Sequence, residues 1–241
     1  MPSVSNAPSP DPLQQSYAYG TSLGEVDPTT VGPEMKTALT TGADVPERVQ
    51  SGPTCGLYAL GMVMDYFEQE SAKNLNPLVQ KGDSLRPDAE PVPPNTQELL
   101  LDTAQKDGFS TQGEMFRADQ LGALAQQFGY QSKVEGPLTV GSLEACLSRK
   151  HPALVAFDVD MKGDPGIYGG ARAHWCVVEG MFQKNGVDYV VATHGWEGKE
   201  YVWRAQDLIA SSDQLHVPNF PGAPSDISQT LANRLVEVAP R

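Results

Sequence analysis

Gln50-Ser51-Gly52-Pro53-Thr54-Cys55-Gly56-Leu57 is a glycine–proline break that ends on a cysteine, and an amphipathic run follows it. Leu57, Leu60, Met64 and Phe67 recur at helical spacing. Cys55 is therefore expected at a helix N-terminus, with Thr54 as the N-cap. At that end the helix dipole and unpaired N–H groups favour a thiolate, the nucleophilic form of cysteine. The same N–H groups form half of an oxyanion hole. Gln50, five residues upstream, is placed to supply the other half through its side-chain amide. A free cysteine more often packs than reacts, so a catalytic reading needs a base as well.

Of the four histidines, His174 fits that role best. It opens a central strand directly after a glycine-rich loop, Met161 to Arg172, which is expected to border a cleft. His151 precedes a proline at a strand entrance and reads as structural or surface. His216 lies in a polar stretch with no motif around it. A base needs an orienting partner. Asn185-Gly186 between apolar runs predicts a two-residue hairpin turn. Asp188 then faces Gln183, about 30 Å from His174 at ~3.4 Å per residue, too far to orient it. The same register puts Glu197 opposite His174, and a bulge near Gly195 would bring in His194 or Trp196. His194 and Glu197 both stay open. Gly52, Gly170 and Trp175, beside these groups in sequence, are expected to contact substrate. His174, Cys176 and His194 raise the question of a metal. No paired CxxC, HExxH or helical histidine pair supports one, so neither metal nor cofactor is expected.

The composition narrows the setting. Residues 1 to about 45 are rich in Ser, Pro, Gly and Thr and read as a disordered or loosely attached tail. Residues 46–241 read as one globular domain, for which 39% hydrophobic residues are ample. Lys and Arg number 17 against 30 Asp and Glu, a net charge of −13. That balance argues against nucleic-acid binding. No run approaches a membrane span, so no stable membrane insertion is expected, and no Sec-type signal is visible at the N-terminus. Three cysteines without framework spacing fit a reducing cytoplasm. The polar tail also resembles bacterial export signals, which keeps open secretion into a host cytosol.

Element signals run from helices to strands, an α+β order. Asn95-Thr96-Gln97-Glu98 reads as a capping box, with a helix to Gly108. A third helix carries Leu121, Leu124 and Phe128 and closes at Gly129. A fourth spans about Ser142 to Arg149. Ala153 to Val159 is a buried strand. His174 to Phe182 and Val187 to Thr193 form the hairpin. Lys199 to Trp203 adds a strand, Asp207 to Leu215 a short helix, and Leu231 to Val238 a closing strand.

Taken together, Gln50…Gly52-Pro53-Thr54-Cys55-Gly56-Leu57, Pro152-Ala153-Leu154-Val155 and Ala173-His174-Trp175 resemble the papain-like peptidases that remove double-glycine leaders. With Gly108 to Phe116 and Gly195 to Leu215, the chain more closely resembles the actin maturation protease family. The resemblance runs from about Val49 to near the C-terminus. It implies a papain-like fold, helical part first and antiparallel sheet after, with Cys55 attacking a peptide carbonyl and His174 as base. It also implies a protein or peptide substrate cleaved near its N-terminus, in the manner of an aminopeptidase; in that family an acetylated residue is removed from actin. Leader peptidases place Asp or Asn third, whereas this chain reads Thr193-His194-Gly195. Two other readings follow from the same residues. One is a bacterial effector protease that trims N-terminal, even N-lipidated, host proteins. The other is a catalytically weak peptide-binding module. Arg117, Lys162 and Arg172 are the candidates for a local basic patch facing an acidic substrate.

Overall fold

The computed structural model describes residues 21–22, 45–70, 96–196 and 199–241. The rest of the expected tail, the connector at 73–94, Asn95 of the expected capping box and Glu197 lie outside the described residues. In chain order the elements are β1 (Thr21–Ser22), α1 (Cys55–Glu70), α2 (Thr96–Lys106), α3 (Ala118–Gln127), β2 (Gln131–Glu135), α4 (Val140–Leu147), β3 (Ala153–Val159), β4 (Pro165–Ile167), β5 (Ala173–Lys184), β6 (Val187–Thr193), β7 (Glu200–Arg204), α5 (Ala205–Asp213) and β8 (Leu235–Ala239). The fold is α+β, as expected: helices lead, and an antiparallel sheet follows.

Strand β3 is the hub of that sheet. It pairs with β5 along one edge, and on the other with β8 over its first half and β4 over its second. The sheet continues through β6 to β7, with β1 on the far side of β4 and β2 beyond β8. Because β3 is covered on both faces, its sequence is apolar throughout except for Asp158. Leu154 and Ala156, with Trp175 and Val177 of β5, join the core beneath α1, α2 and α3. Val155 and Phe157, with Cys176 and Val178, join a second core with α4, Leu208 of α5, and Trp203. The alternation is the period of two that a strand imposes. Leu57 and Leu60 of α1 are fully buried, each contributing about 1.5–3 kcal/mol of transfer free energy.

Several boundaries differ from expectation for local reasons. Helix α4 begins two residues early, because Thr139 and Ser142 cap each other reciprocally at its start. Helix α3 stops at Gln127, with Phe128 as its C-cap and Gly129 at φ +91° after it. Helix α5 starts at Ala205 and ends at Asp213, and the closing strand starts at Leu235. The short polar strand β2 carries weak alternation and was not expected; its pairing with β8 creates it. The loop from Met161 to Arg172 holds the three-residue strand β4. Thr54 stands directly before α1, and its carbonyl accepts the Tyr58 N–H (2.9 Å). Its hydroxyl donates to the Ser51 carbonyl (2.7 Å), bracing the turn ahead of α1.

The hairpin register decides what reaches His174. Near the turn it is as expected: Asn185 and Gly186 take positive φ, and Gln183 faces Asp188. A bulge then intervenes at Glu179, not near Gly195. Gly180 faces Val191 but Val178 faces Ala192, so every later partner moves by one residue. Beyond the last pair, Val177 with Thr193, the shifted register puts His194 on the same face of the sheet as His174, and the two rings meet. The Glu179 carboxylate is buried and accepts the Val45 N–H (3.0 Å), which anchors the start of the segment leading to Cys55.

Candidate active site

Cys55 and His174 line one cleft of about 620 Å³, together with Gln50, Glu114, Gly170 and Arg172. Cys55 is the first residue of α1 and is half-buried. Helix α1 packs on the face of β5 that carries Trp175, and the Trp175 backbone N–H is near enough to the Cys55 sulfur to favour its thiolate. Cys55 and His174 meet through that cleft, with Trp175 following His174 in the chain. Burial pushes the Cys55 thiol up to about 11, against the N–H groups of Trp175, Gly56 and Cys55 itself, which favour the thiolate. The same burial, reinforced by neighbouring His194, holds His174 well below its ordinary value. Both effects favour a neutral thiol beside a neutral imidazole in the resting site, rather than an ion pair.

His174 and His194 are 5% and 0% exposed. His174 Nε2 lies 3.1 Å from His194 Nδ1, and His194 Nε2 lies 3.1 Å from the Gly163 carbonyl oxygen. A carbonyl only accepts, so His194 Nε2 carries a hydrogen. In a neutral ring His194 Nδ1 is then the acceptor, and His174 Nε2 donates to it. The chain of donors runs from His174 to His194 to Gly163. Phe157 meets both rings edge-on at 5.9 Å, and Tyr201 stacks on His194 at 4.5 Å. Trp196, 39% exposed, covers the pair from outside, 5.6 Å from His174 and 6.0 Å from His194.

Gln50 reaches the cleft because its backbone N–H bonds to the Gly195 carbonyl (2.7 Å). The approach is so close that a Cβ on Gly195 would lie 2.7 Å from the Gln50 Cβ, so only glycine fits there. The side-chain Nε2 donates to the Gly52 carbonyl (3.0 Å), and Oε1 is buried with no hydrogen-bond partner. The amide is thus at the cleft but turned toward its own turn.

The residues expected to contact substrate divide. Gly170 is in the cleft wall. Gly52 sits on the exposed turn before α1, where its carbonyl holds Gln50. Trp175 also borders the cleft, but its side chain is 2% exposed and donates to the Met115 carbonyl (2.9 Å), so most of it packs in the core. Of the three basic candidates, Arg172 lines the cleft, its guanidinium 4.5 Å from the Tyr168 ring centroid. Arg117 pairs with Asp119 outside the cleft. Lys162 lies in the turn that carries Gly163.

Sequence reasoning missed Asp158. Its buried carboxylate accepts the N–H groups of Tyr168 (3.0 Å), Gly170 (2.8 Å) and Arg172 (2.9 Å), and Gln214 Nε2 (2.9 Å). Burial pushes its pKa up while these donors pull it back. It fixes the wall of the cleft from below. The signal was present: a lone acid inside the apolar run Ala153 to Val159. Also missed was the opposite wall, where Phe220 meets Phe116 at 5.9 Å beside Pro218; nothing in that loop's composition marks it. Among the described residues no group of three or more His, Cys, Asp or Glu is arranged to hold a metal ion. Nor is any helix there long and apolar enough to cross a membrane.

Comparison with known proteins bears on this geometry. The family model for the actin maturation protease-like C-terminal domain matches residues 88–182, a stretch that includes His174 but neither Cys55 nor His194. The chain is similar to the actin maturation protease of Homo sapiens, 33% identical over 144 residues, covering 58% of this chain and 35% of the relative. It is similar to that of Drosophila melanogaster, 29% identical over 173 residues, covering 69% of this chain and 54% of the relative. With the Danio rerio protein the identity is 29% over 145 residues, covering 57% and 39%. The chain thus spans about a third to a half of the length of the curated relatives it matches.

Proposed function

We propose, for a chain that belongs to the actin maturation protease family, that it is a cysteine peptidase acting near protein N-termini, with Cys55 as nucleophile and His174 as base. The observation that carries the reading is the hydrogen-bond chain from His174 through His194 to Gly163, beside the cleft that Cys55 enters. Because His174 Nε2 is engaged by His194, Nδ1 is the ring nitrogen left to take the thiol proton. As sulfur attacks the peptide carbonyl, the proton moves to His174, whose new charge is stabilised by His194 Nδ1. The oxyanion forms against the Cys55 backbone N–H and the Gln50 amide, once that amide leaves the Gly52 carbonyl. His174 then protonates the departing amine, leaving a thioester. It next takes a proton from water, which hydrolyses the thioester and frees the thiol. A substrate with an actin-type N-terminus is proposed from the relatives' name. Incubation with an N-acetylated actin N-terminal peptide, followed by mass spectrometry, is expected to show a shortened peptide; a peptide left intact by the active protein sinks the actin assignment.

Two further outcomes test the parts. In Gln50→Ala, kcat for a cleaved peptide is expected to fall about 10²-fold with KM little changed, since the amide acts on charge that exists only in the transition state. Steady-state kinetics reads this, and an equal rise in KM alone would assign Gln50 to ground-state binding. Alkylation of Cys55 by iodoacetamide tests the base. The native protein is expected to react at neutral pH through proton transfer to His174. His174→Ala is expected to lose that component by about 10²–10⁴. What remains should rise with pH toward about 11, where the thiol ionises by itself.

A further inference from the structure

We propose that the turn from Asp160 to Asp164 is a positioning device for the two histidines, acting through the Gly163 carbonyl, which selects the tautomer of His194. The inference rests on the cysteine-peptidase reading above and extends it to residues outside the cleft. An asparagine in the third position always offers an acceptor oxygen. An imidazole offers Nδ1 as an acceptor only while Nε2 holds the hydrogen. A histidine there therefore needs a second group to choose its tautomer, and the Gly163 carbonyl, 3.1 Å from Nε2, is that group.

The turn is built to hold this carbonyl still. Asp160 is 4% exposed, and its Oδ1 accepts the N–H groups of Lys162 (2.7 Å) and Asp164 (2.9 Å). The Asp160 N–H donates to the Asp164 carbonyl (2.8 Å), and the Gly163 N–H donates to the Asp160 carbonyl (3.3 Å). Asp164 Oδ1 accepts the indole N–H of Trp203 (3.2 Å), which fastens the far end of the turn to β7. Gly163 has φ +92°, and a Cβ there would lie 2.5 Å from the Tyr201 hydroxyl. Tyr201 is the ring stacked on His194. The carbonyl and the ring it orients are therefore clamped by one side chain. Among the described residues, the titratable groups in contact with His194 include His174 and Tyr201; Asp160 and Asp164 lie in the turn, and the Lys199 ammonium lies 4.5 Å from the Tyr201 ring centroid.

The test uses the whole chain. Nitrogen-15 NMR of the histidine rings in the resting protein should find His194 with its hydrogen on Nε2; a hydrogen on Nδ1 overturns the proposal without any variant. Asp160→Ala is expected to mix the tautomers and to lower the neutral-pH alkylation rate of Cys55 about tenfold. Asp160→Asn keeps Oδ1 as acceptor and should restore most of that rate. The decisive comparison is a double-mutant cycle. In a His194→Asn background the third residue no longer needs its tautomer chosen, so Asp160→Ala should cause little additional loss. An equal loss in both backgrounds shows a merely structural role and rejects the device. The tautomer is read without substrate, so its failure is distinguishable from failure of the peptidase reading, which the cleavage assay reports.

Discussion

Cys55→Ala is expected to lower peptide hydrolysis by a factor on the order of 10⁶ while leaving stability within about 1 kcal/mol of the native protein. The two halves of that expectation have different causes. Without sulfur there is no thioester, and neither His174 nor the oxyanion donors can supply a nucleophile. What survives is transition-state binding by the cleft alone. Stability is little affected because Cys55 is only half-buried at a helix start, with its packing confined to the rim of the core. Cleavage followed by mass spectrometry, with urea unfolding on the same sample, reads both. A Cys55→Ala protein that still cleaves would place the chemistry elsewhere and end the cysteine-peptidase reading.

The second large effect is on the architecture of the cleft. Asp158→Ala is expected to destabilise the fold by about 4 kcal/mol, visible as a lower urea midpoint at unchanged slope. The carboxylate is 0% exposed and gathers four donors, three of them backbone N–H groups from residues 168–172. Removing it leaves those donors facing a cavity, at about 1–3 kcal/mol for each that water does not reach. The same loop carries Gly170 and Arg172 into the cleft, so kcat/KM should fall even where the variant is folded. Asp158→Asn keeps one acceptor oxygen but turns an NH₂ group toward N–H donors, and its cost should be intermediate. If Asp158→Ala unfolds at the native midpoint, the loop is held by something other than this carboxylate.

Much of this arrangement is legible before any coordinates. The apolar spacing after Cys55 gives α1, because a helix needs one continuous apolar face. The seven apolar-rich residues from Ala153 give β3 with its observed bounds. Asn185-Gly186 gives the hairpin turn, because that pair tolerates the positive φ that such a turn demands. These are local rules, satisfied by neighbours in sequence.

The third residue of the site is not local, and the chain alone left His194 and Glu197 both open. The choice depends on one extra residue, Glu179, five positions beyond His174 on β5. A bulge moves every later pair by one, and since side chains alternate faces with a period of two, one step decides which group meets the imidazole. The contact that holds His194 lies farther still, in a turn 31 residues earlier. Sequence determined the cysteine on its helix tip, the histidine at its strand mouth and the class of the fold, because each follows from short-range pattern. The tertiary structure decided which nitrogen faces which partner, because a hydrogen bond depends on where two distant segments are packed and a linear pattern carries no record of that distance.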